Sequence, residues 1–296
     1  MENNIQRTFI IGDAWCYFKI YTGFKTADSL LINTFFPLSQ SLLQNNTIDK
    51  WFFIRYSDPE FHLRIRFHVK ELSNIGILIM NFNRAVKEYV NNGLIWKIQS
   101  DTYDREIERY GIETMETSET FFWHDSEMIV KVIALLKHSP DEDMQWLLGL
   151  KMIDTLLDDF SLSLEEKHSL LQMLQEGFKR EFGIDEIYKR QFGRNYRTKR
   201  DKLEKILRKE NQTNEEFNAC FAPIVQKSEL TRPYITEIRR IVSANQNILI
   251  NELLHSYIHM MLNRLFRARQ RVHELVLYDY LFRYYTSQLA QLKKKE

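Results

Sequence analysis

Residues 51–69 hold two apolar runs on either side of Ser57-Asp58-Pro59-Glu60, a sequence with turn chemistry, so the segment reads as a hairpin of two antiparallel strands. The second run alternates strictly. Phe61, Leu63, Ile65, Phe67 and Val69 face one way, and His62, Arg64, Arg66 and His68 face the other. One face of such a strand must be core, which leaves two guanidinium groups and two imidazoles together on the opposite face. Arginines held side by side repel, and they are best tolerated where a carboxylate or phosphate arrives to bridge them. The same stripe is also the pattern of a plain solvated strand face. Arg55, near the end of the first strand, adds a further cation, and aromatic residues sit on both strands around these charges.

The rest of the chain limits what can surround the hairpin. Residues 8–22 are rich in β-branched and aromatic side chains and read as one or two strands, and residues 94–99 as another. Thr26 and Asp28 offer N-caps for a helix that Pro37 should kink, and a further helix is expected over 72–91. From about residue 126 the apolar spacing turns helical, over 128–136, 144–157 and 164–178. Later helices are expected over 198–209, from 215 with a break near Pro223, over 246–269 and over 272–292. Only 9 Gly and 5 Pro occur in 296 residues, too few for a sandwich or barrel made of tight turns. The expected class is α+β: a mixed or antiparallel sheet packed with helices in the amino-terminal half, and a largely helical carboxyl-terminal half. It is expected as a single domain over 1–296, with its α+β part at about 1–125 and its helical part at about 126–296.

Charge and cysteine usage exclude several functions. Lys and Arg total 41 against 40 Asp and Glu, a net charge of +1, which speaks against a dedicated nucleic-acid binder. Cys16 and Cys220 lie far apart and outside any ligand-spaced cluster, so neither a disulfide framework nor a cysteine-rich metal site is expected. The opening residues lack a basic stretch leading into an apolar one, and no later run reaches the roughly 18 apolar residues of a spanning helix. A cytoplasmic location without a membrane span is expected. Residues 179–209 are a local exception to the charge balance: basic residues outnumber acids there, with Phe182, Tyr188, Phe192 and Tyr196 interleaved. That segment suits contact with a peptide or protein partner, or simply a solvated helix face.

Two further clusters carry chemistry. In the segment from Tyr103 to Gly111, a helix would put Glu106 and Arg109 one turn apart, able to hold each other as an ion pair ahead of a glycine cap. His255, His259 and Asn263 fall at i, i+4 and i+8 on a long helix. The zinc-protease pattern needs Glu directly after the first histidine, and Ser256 stands there instead, so no metal site is expected. A catalytic or anion-contacting histidine and a satisfied core histidine both remain open.

Taken in order, WFFIRYSDPEFHLRIRF, DTYDREIERYG followed by METSETFFWHDS, and SYIHMMLNRLF resemble the signature segments of the lantibiotic dehydratase carboxyl-terminal domain, also called the thiopeptide-type bacteriocin biosynthesis domain. The resemblance runs from about residue 8 to the end. In full-length members of that family one part esterifies Ser and Thr of a ribosomally made precursor peptide with glutamate taken from glutamyl-tRNA. The carboxyl-terminal part then eliminates the glutamate, leaving dehydroalanine or dehydrobutyrine. The resemblance implies a lyase of this second kind, encoded apart from its glutamyl-transferring partner, without a cofactor and without direct tRNA binding.

It also implies the residues. The two arginines of the family's HLRxR strand match Arg64 and Arg66, the glutamate and arginine of its ExxRYG segment match Glu106 and Arg109, and the histidine of its HMxxNR helix matches His259. Arg55, His62, Asn263 and Arg264 are expected to contact substrate around them. Where the family continues with a second glycine, this chain has Gly111-Ile112. A related branch assembles the pyridine ring of thiopeptides by a formal cycloaddition of two dehydroalanines and generally lacks these arginines and the histidine. That branch, and a non-catalytic subunit that only binds the precursor peptide, are the alternatives.

Overall fold

A computed structural model of the chain describes residues 5–139, 141–208, 215–245 and 248–294. It resolves into two compact units, one of residues 1–137 with 236–256 and one of residues 138–235 with 257–296.

In the first unit, β1 (Thr8–Phe9), β2 (Trp15–Thr22), β3 (Ile48–Ser57), β4 (Phe61–Val69), β5 (Ile95–Ser100) and β6 (Tyr103–Asp104) form two sheets. β1 pairs with β6, and a four-stranded sheet has the order β3-β4-β2-β5. Every pairing is antiparallel. The expected hairpin is β3 and β4, closed with Ser57 opposite Phe61, and β4 lies inside the sheet between β2 and β3. Its apolar residues Leu63, Ile65, Phe67 and Val69 are buried.

Three helices, α1 (Phe24–Leu30), α2 (Phe36–Gln44) and α3 (Ile75–Asn91), accompany the sheet. Leu78, Phe82 and Val86 of α3 recur at four-residue spacing and are buried. Phe82 stacks on Phe18 at 4.3 Å and meets the edge of Phe67 at 6.5 Å, so α3 covers the apolar face of β4 and β2. The first helix starts at Phe24 with Gly23 as its cap, rather than at Thr26 or Asp28. Asp28 is drawn into the helix and buried because it takes the charge of Arg55, Nη2 to Oδ1 2.6 Å. Pro37 has no N–H to offer the preceding turn, and the chain widens into a π-turn over Leu31–Phe35 before α2 resumes with Pro37 in its first turn.

After the short α4 (Ile107–Tyr110) comes α5 (Met115–Leu136), which begins eleven residues ahead of the expected start at 126. Glu116, Ser118, Glu119 and Thr120 break the apolar rhythm there, yet Ser118 and Glu119 are buried with partners. α5 also covers the sheet edge: the Phe53 N–H donates to Ser126 Oγ at 3.2 Å, and Trp123 and Gln40 donate to Glu127 at 2.8 and 2.7 Å.

The second unit is helical. Its elements are α6 (Met144–Asp159), α7 (Leu164–Glu181), α8 (Glu186–Leu207), parts of α9 (Glu215–Ala244) and α10 (Ile250–Leu265), and α11 (Gln270–Leu292). α7 opens with a capping box in which Ser163 and Glu166 satisfy each other's backbone N–H at 3.1 and 2.7 Å. α8 starts well ahead of the expected residue 198 because Asp185 caps it, accepting from the N–H groups of Ile187 and Tyr188 at 2.9 and 3.0 Å. Pro223 does not break its helix. It and Pro233 lie inside α9, where burial of Phe221, Ile224, Ile235 and Ile238 offsets two lost backbone bonds at about 3 kcal/mol each. The start expected at Gln246 and the end expected at Lys209 fall outside the described residues. Among the described residues no helix is long and apolar enough to cross a membrane, and no three His, Cys, Asp or Glu side chains are grouped to hold a metal ion.

Two outcomes are expected from this architecture. Asp28→Ala removes the carboxylate paired with the buried Arg55 guanidinium, 1% exposed, and urea unfolding should register a loss of about 3–5 kcal/mol; a loss below about 1 kcal/mol would contradict the buried pair. In the second unit Lys199, Lys202 and the Trp146 indole hold the Asp143 carboxyl well below the usual carboxylate range. An acid depressed in the folded state stabilises above its unfolded pKa of about 4, and that contribution drains away as pH falls. Asp143→Asn should therefore cost about 1 kcal/mol at neutral pH and show a shallower decline in Tm on acidification than the parent chain.

Candidate active site

Arg66 occupies the middle of β4, directly across from Tyr17 on β2 and Phe52 on β3. Its guanidinium carbon lies 4.2 Å from the Tyr17 ring centre, 4.7 Å from that of Tyr103 and 5.2 Å from that of Phe52. The residue is only 7% exposed, and its buried Nε has no hydrogen-bond partner. Burial pulls its pKa down, and Arg64 adds repulsion, while Glu106 and the tyrosines oppose them. An arginine remains charged even so. Desolvating such a cation costs several kcal/mol; the three ring contacts offset much of that charge term but give the buried Nε–H no acceptor. That unsatisfied donor favours an incoming anion with oxygens to offer.

Arg64, two residues earlier on the same face, lies over the Tyr56 ring at 3.4 Å. Its Nε donates to His62 Nε2 at 3.2 Å, while His62 Nδ1 donates to the Glu60 carbonyl at 2.8 Å. These two bonds fix the imidazole as the neutral Nδ1–H tautomer. Burial lowers the His62 pKa, and Arg64 and Lys19 reinforce that direction. His62 is wholly buried and takes its hydrogen bond from Arg64, so it offers no surface for the substrate contact expected of it. Arg55 points away from this cluster's needs: it is buried against Asp28.

Glu106 and Arg109 form the expected ion pair, Nη1 to Oε2 2.9 Å, about half exposed at the start of α4. Through Glu106 the pair is linked electrostatically to Arg66. Gly111 ends α4 with φ +76°, and a Cβ there would come within 2.6 Å of Ile248. A cleft of about 290 Å³ lies beside it, lined by Arg109, Gly111, Ile112, Asn245, Ile248 and Glu252 among others. Arg64 and Arg66 thus share one face of β4, and Arg109 is paired with Glu106; all four residues belong to the first unit.

His259, Asn263 and Arg264 belong to the second unit. His259 Nδ1 lies 2.8 Å from Glu274 Oε1, and Glu274 is fully buried with Arg271 3.5 Å from its other oxygen. A carboxylate accepts only, so Nδ1 is the donor and Nε2 of the neutral ring carries the lone pair. Arg264 is wholly buried.

Sequence reasoning missed the residues that enclose Arg66. Tyr103 donates to Glu119 Oε1 at 2.8 Å, and Arg105 forks onto both oxygens of Glu119 at 2.7 Å each. Burial, with Glu119 second, raises the Tyr103 pKa well above its usual value, so its hydroxyl stays protonated. The visible signals are the aromatics of the hairpin, Phe52 among them, and Tyr103, three residues ahead of Glu106.

A family described as the lantibiotic biosynthesis dehydratase C-terminal region matches residues 15–285. Among curated proteins, the chain is 27% identical over 180 residues to the subtilin biosynthesis protein SpaB of Bacillus subtilis, covering 59% of this chain and 17% of SpaB. It is 29% identical over 129 residues to the nisin biosynthesis protein NisB of Lactococcus lactis subsp. lactis, covering 43% and 12%. To the epidermin biosynthesis protein EpiB of Staphylococcus epidermidis it is 27% identical over 256 residues, covering 84% and 24%. The matches therefore take in about a quarter or less of each relative's length. The fold is shared with the tRNA-dependent lantibiotic dehydratase MibB of Microbispora sp. 107891, with TM-score 0.73, 22% identity, and coverage of 93% of this chain and 28% of MibB. It is shared too with TbtD, the pyridine synthase from thiomuracin biosynthesis, with TM-score 0.65, 11% identity, and coverage of 91% and 97%. With its match running through nearly the whole chain, the protein belongs to the lantibiotic biosynthesis dehydratase C-terminal family.

Proposed function

We propose that the chain is a lyase that eliminates glutamate from glutamylated Ser and Thr of a ribosomally made precursor peptide, leaving dehydroalanine or dehydrobutyrine. A separate glutamyl-tRNA-dependent protein supplies the ester, and the net charge of +1 suits a chain that leaves the tRNA to that partner. The observation that carries the reading is Arg66, a buried guanidinium with aromatic rings around it and no carboxylate or other hydrogen-bond acceptor on its Nε.

In the reaction a base removes the α-proton of the esterified residue, the Cα=Cβ bond forms, and the Cβ–O bond breaks to release glutamate. Negative charge develops first on the peptide carbonyl and then on the leaving carboxylate. Arg66 and Arg64, with Arg109 held by Glu106, are assigned to grip the glutamyl carboxylates and to meet the developing oxyanion; charge-assisted forks suit both tasks. His62 and Tyr56 hold Arg64 in place. His259 is assigned the proton, with Glu274 fixing Nδ1 and leaving Nε2 basic. Arg264, wholly buried, offers no surface for substrate, and Arg55 serves by fixing α1 to the sheet through Asp28.

The second reading is cycloaddition of two dehydroalanines, which the shared fold of a pyridine synthase brings into play. Two neutral alkenes give no leaving anion for Arg66 to take, so the unmatched guanidinium favours elimination.

Reconstitution with the partner transferase, glutamyl-tRNA and precursor peptide is the test. Arg66→Ala and His259→Ala are each expected to slow elimination by about 100-fold or more and to leave glutamylated peptide visible by mass spectrometry. Full dehydration by either variant would remove that residue from the mechanism. Ring formation from a peptide carrying two preformed dehydroalanines would replace the reading with the second one.

A further inference from the structure

Residues 187–200 of α8 carry six Lys or Arg and no acid. Those farther along the helix are neutralised at home. Lys199 and Lys202 bind Asp143 at 2.5 and 2.8 Å, and Arg200 binds Glu204 at 2.6 Å. Arg190, Arg194 and Arg197 differ: all three are exposed and none makes an ion pair or hydrogen bond with the described residues. Their i, i+4, i+7 spacing puts them on one stripe of α8.

A fourth guanidinium faces the same stripe. Arg283 of α11 is held at Nε by the buried Asp279 at 2.6 Å, and Asp279 also takes Lys179 at 2.7 Å. Gly193 makes room for it, since a Cβ there would already lie 3.4 Å from Arg283 Nη1. The four arginines, Gly193 and Ile187 surround a groove of about 580 Å³. Like charges this close repel, and among the described residues no hydrogen bond or ion pair offsets that for Arg190, Arg194 and Arg197.

We propose that this groove between α8 and α11 docks an acidic peptide segment with apolar residues beside its carboxylates. Charge complementarity identifies the carboxylates: four guanidinium forks suit planar, bidentate acceptors. Spacing suits an extended strand, whose alternate side chains recur every ~6.6 Å, against the ~6 Å rise from Arg190 to Arg194. Ile187, 70% exposed at the groove wall, and Tyr188, 53% exposed next to it, provide apolar contact. No aromatic ring lines the groove, so nucleic-acid bases find no stacking platform inside it, and the net charge of +1 lacks the broad basic field of an RNA binder. The docking surface stands independently of the elimination chemistry.

Fluorescence anisotropy of the full chain tests it with a labelled peptide alternating Glu and Leu, its Gln-for-Glu counterpart, and a single-stranded RNA of similar length. The acidic peptide should bind, the Gln peptide should not, and combining Arg190→Gln, Arg194→Gln and Arg197→Gln should weaken binding about 10-fold or more with circular dichroism and Tm unchanged. Arg200→Gln, on the same helix but outside the groove, should leave affinity nearly unchanged. RNA binding as tight as the peptide, equal binding of the Gln peptide, no binding at all, or an Arg200→Gln effect as large as the triple substitution would each overturn the proposal.

Discussion

A guanidinium without a carboxylate, enclosed by Tyr17, Phe52 and Tyr103, is the constraint around which the first unit is arranged. The other buried arginines of that unit show how the fold treats a cation it needs only for structure. Arg55 is closed onto Asp28, and Arg105 forks onto Glu119. Each of those pairs ties a helix to a strand or loop, and each leaves a heavy penalty if one member is lost. Arg66 sits on the same sheet, yet Glu119 is spent on Arg105 and Tyr103, and Glu106 is spent on Arg109. The acids near Arg66 are therefore already engaged, which keeps its charge available to something that is not part of the protein.

The tyrosines explain how such a site survives. Rings stacked over a guanidinium exclude water without neutralising the charge, and in the low dielectric they create, a single hydrogen-bonded oxygen is worth more than in water. The Tyr103 hydroxyl is itself anchored to Glu119, so the ring that covers Arg66 is held by the ion pair that Arg105 completes. Arg105 and Glu119 thereby act on Arg66 through Tyr103. Losing Glu119 would disturb the cage before it disturbed the arginine.

The parts of this arrangement written in local pattern were legible in the sequence, and the parts written in long-range pairing were not. The period-two alternation from Phe61 to Val69 is a local signal, and it gives the faces of β4 correctly because one face must be core. The Glu106–Arg109 pair is equally local, one helical turn. By contrast, Asp28 reads as a cap because short acids favour that position, and only the distant Arg55 draws it inside the helix. Residues 115–125 read as non-helical because Glu116, Ser118 and Glu119 interrupt the apolar spacing, and only Arg105 makes Glu119 a core residue. The start of α8 fails for a different reason: a helix face left to arginines has no apolar period to detect. Pro223 is a strong breaker signal overruled by burial on either side of it.

Two unneutralised cationic sets, one in each unit, answer to different physics. Arg66 is enclosed, so its interaction with a bound carboxylate is little screened by mobile ions and changes little with ionic strength. Arg190, Arg194 and Arg197 are exposed, and their attraction for an acidic segment falls once the Debye length, about 8 Å at physiological salt, is shorter than the approach distance. Exposed charges of this kind govern encounter and release, while a buried one governs which anion is held once bound. On the elimination reading proposed above, keeping these tasks apart lets the chain hold a peptide and release it again. Tight holding by the exposed arginines would slow release of such a segment, whereas an enclosed guanidinium holds its anion with little dependence on salt.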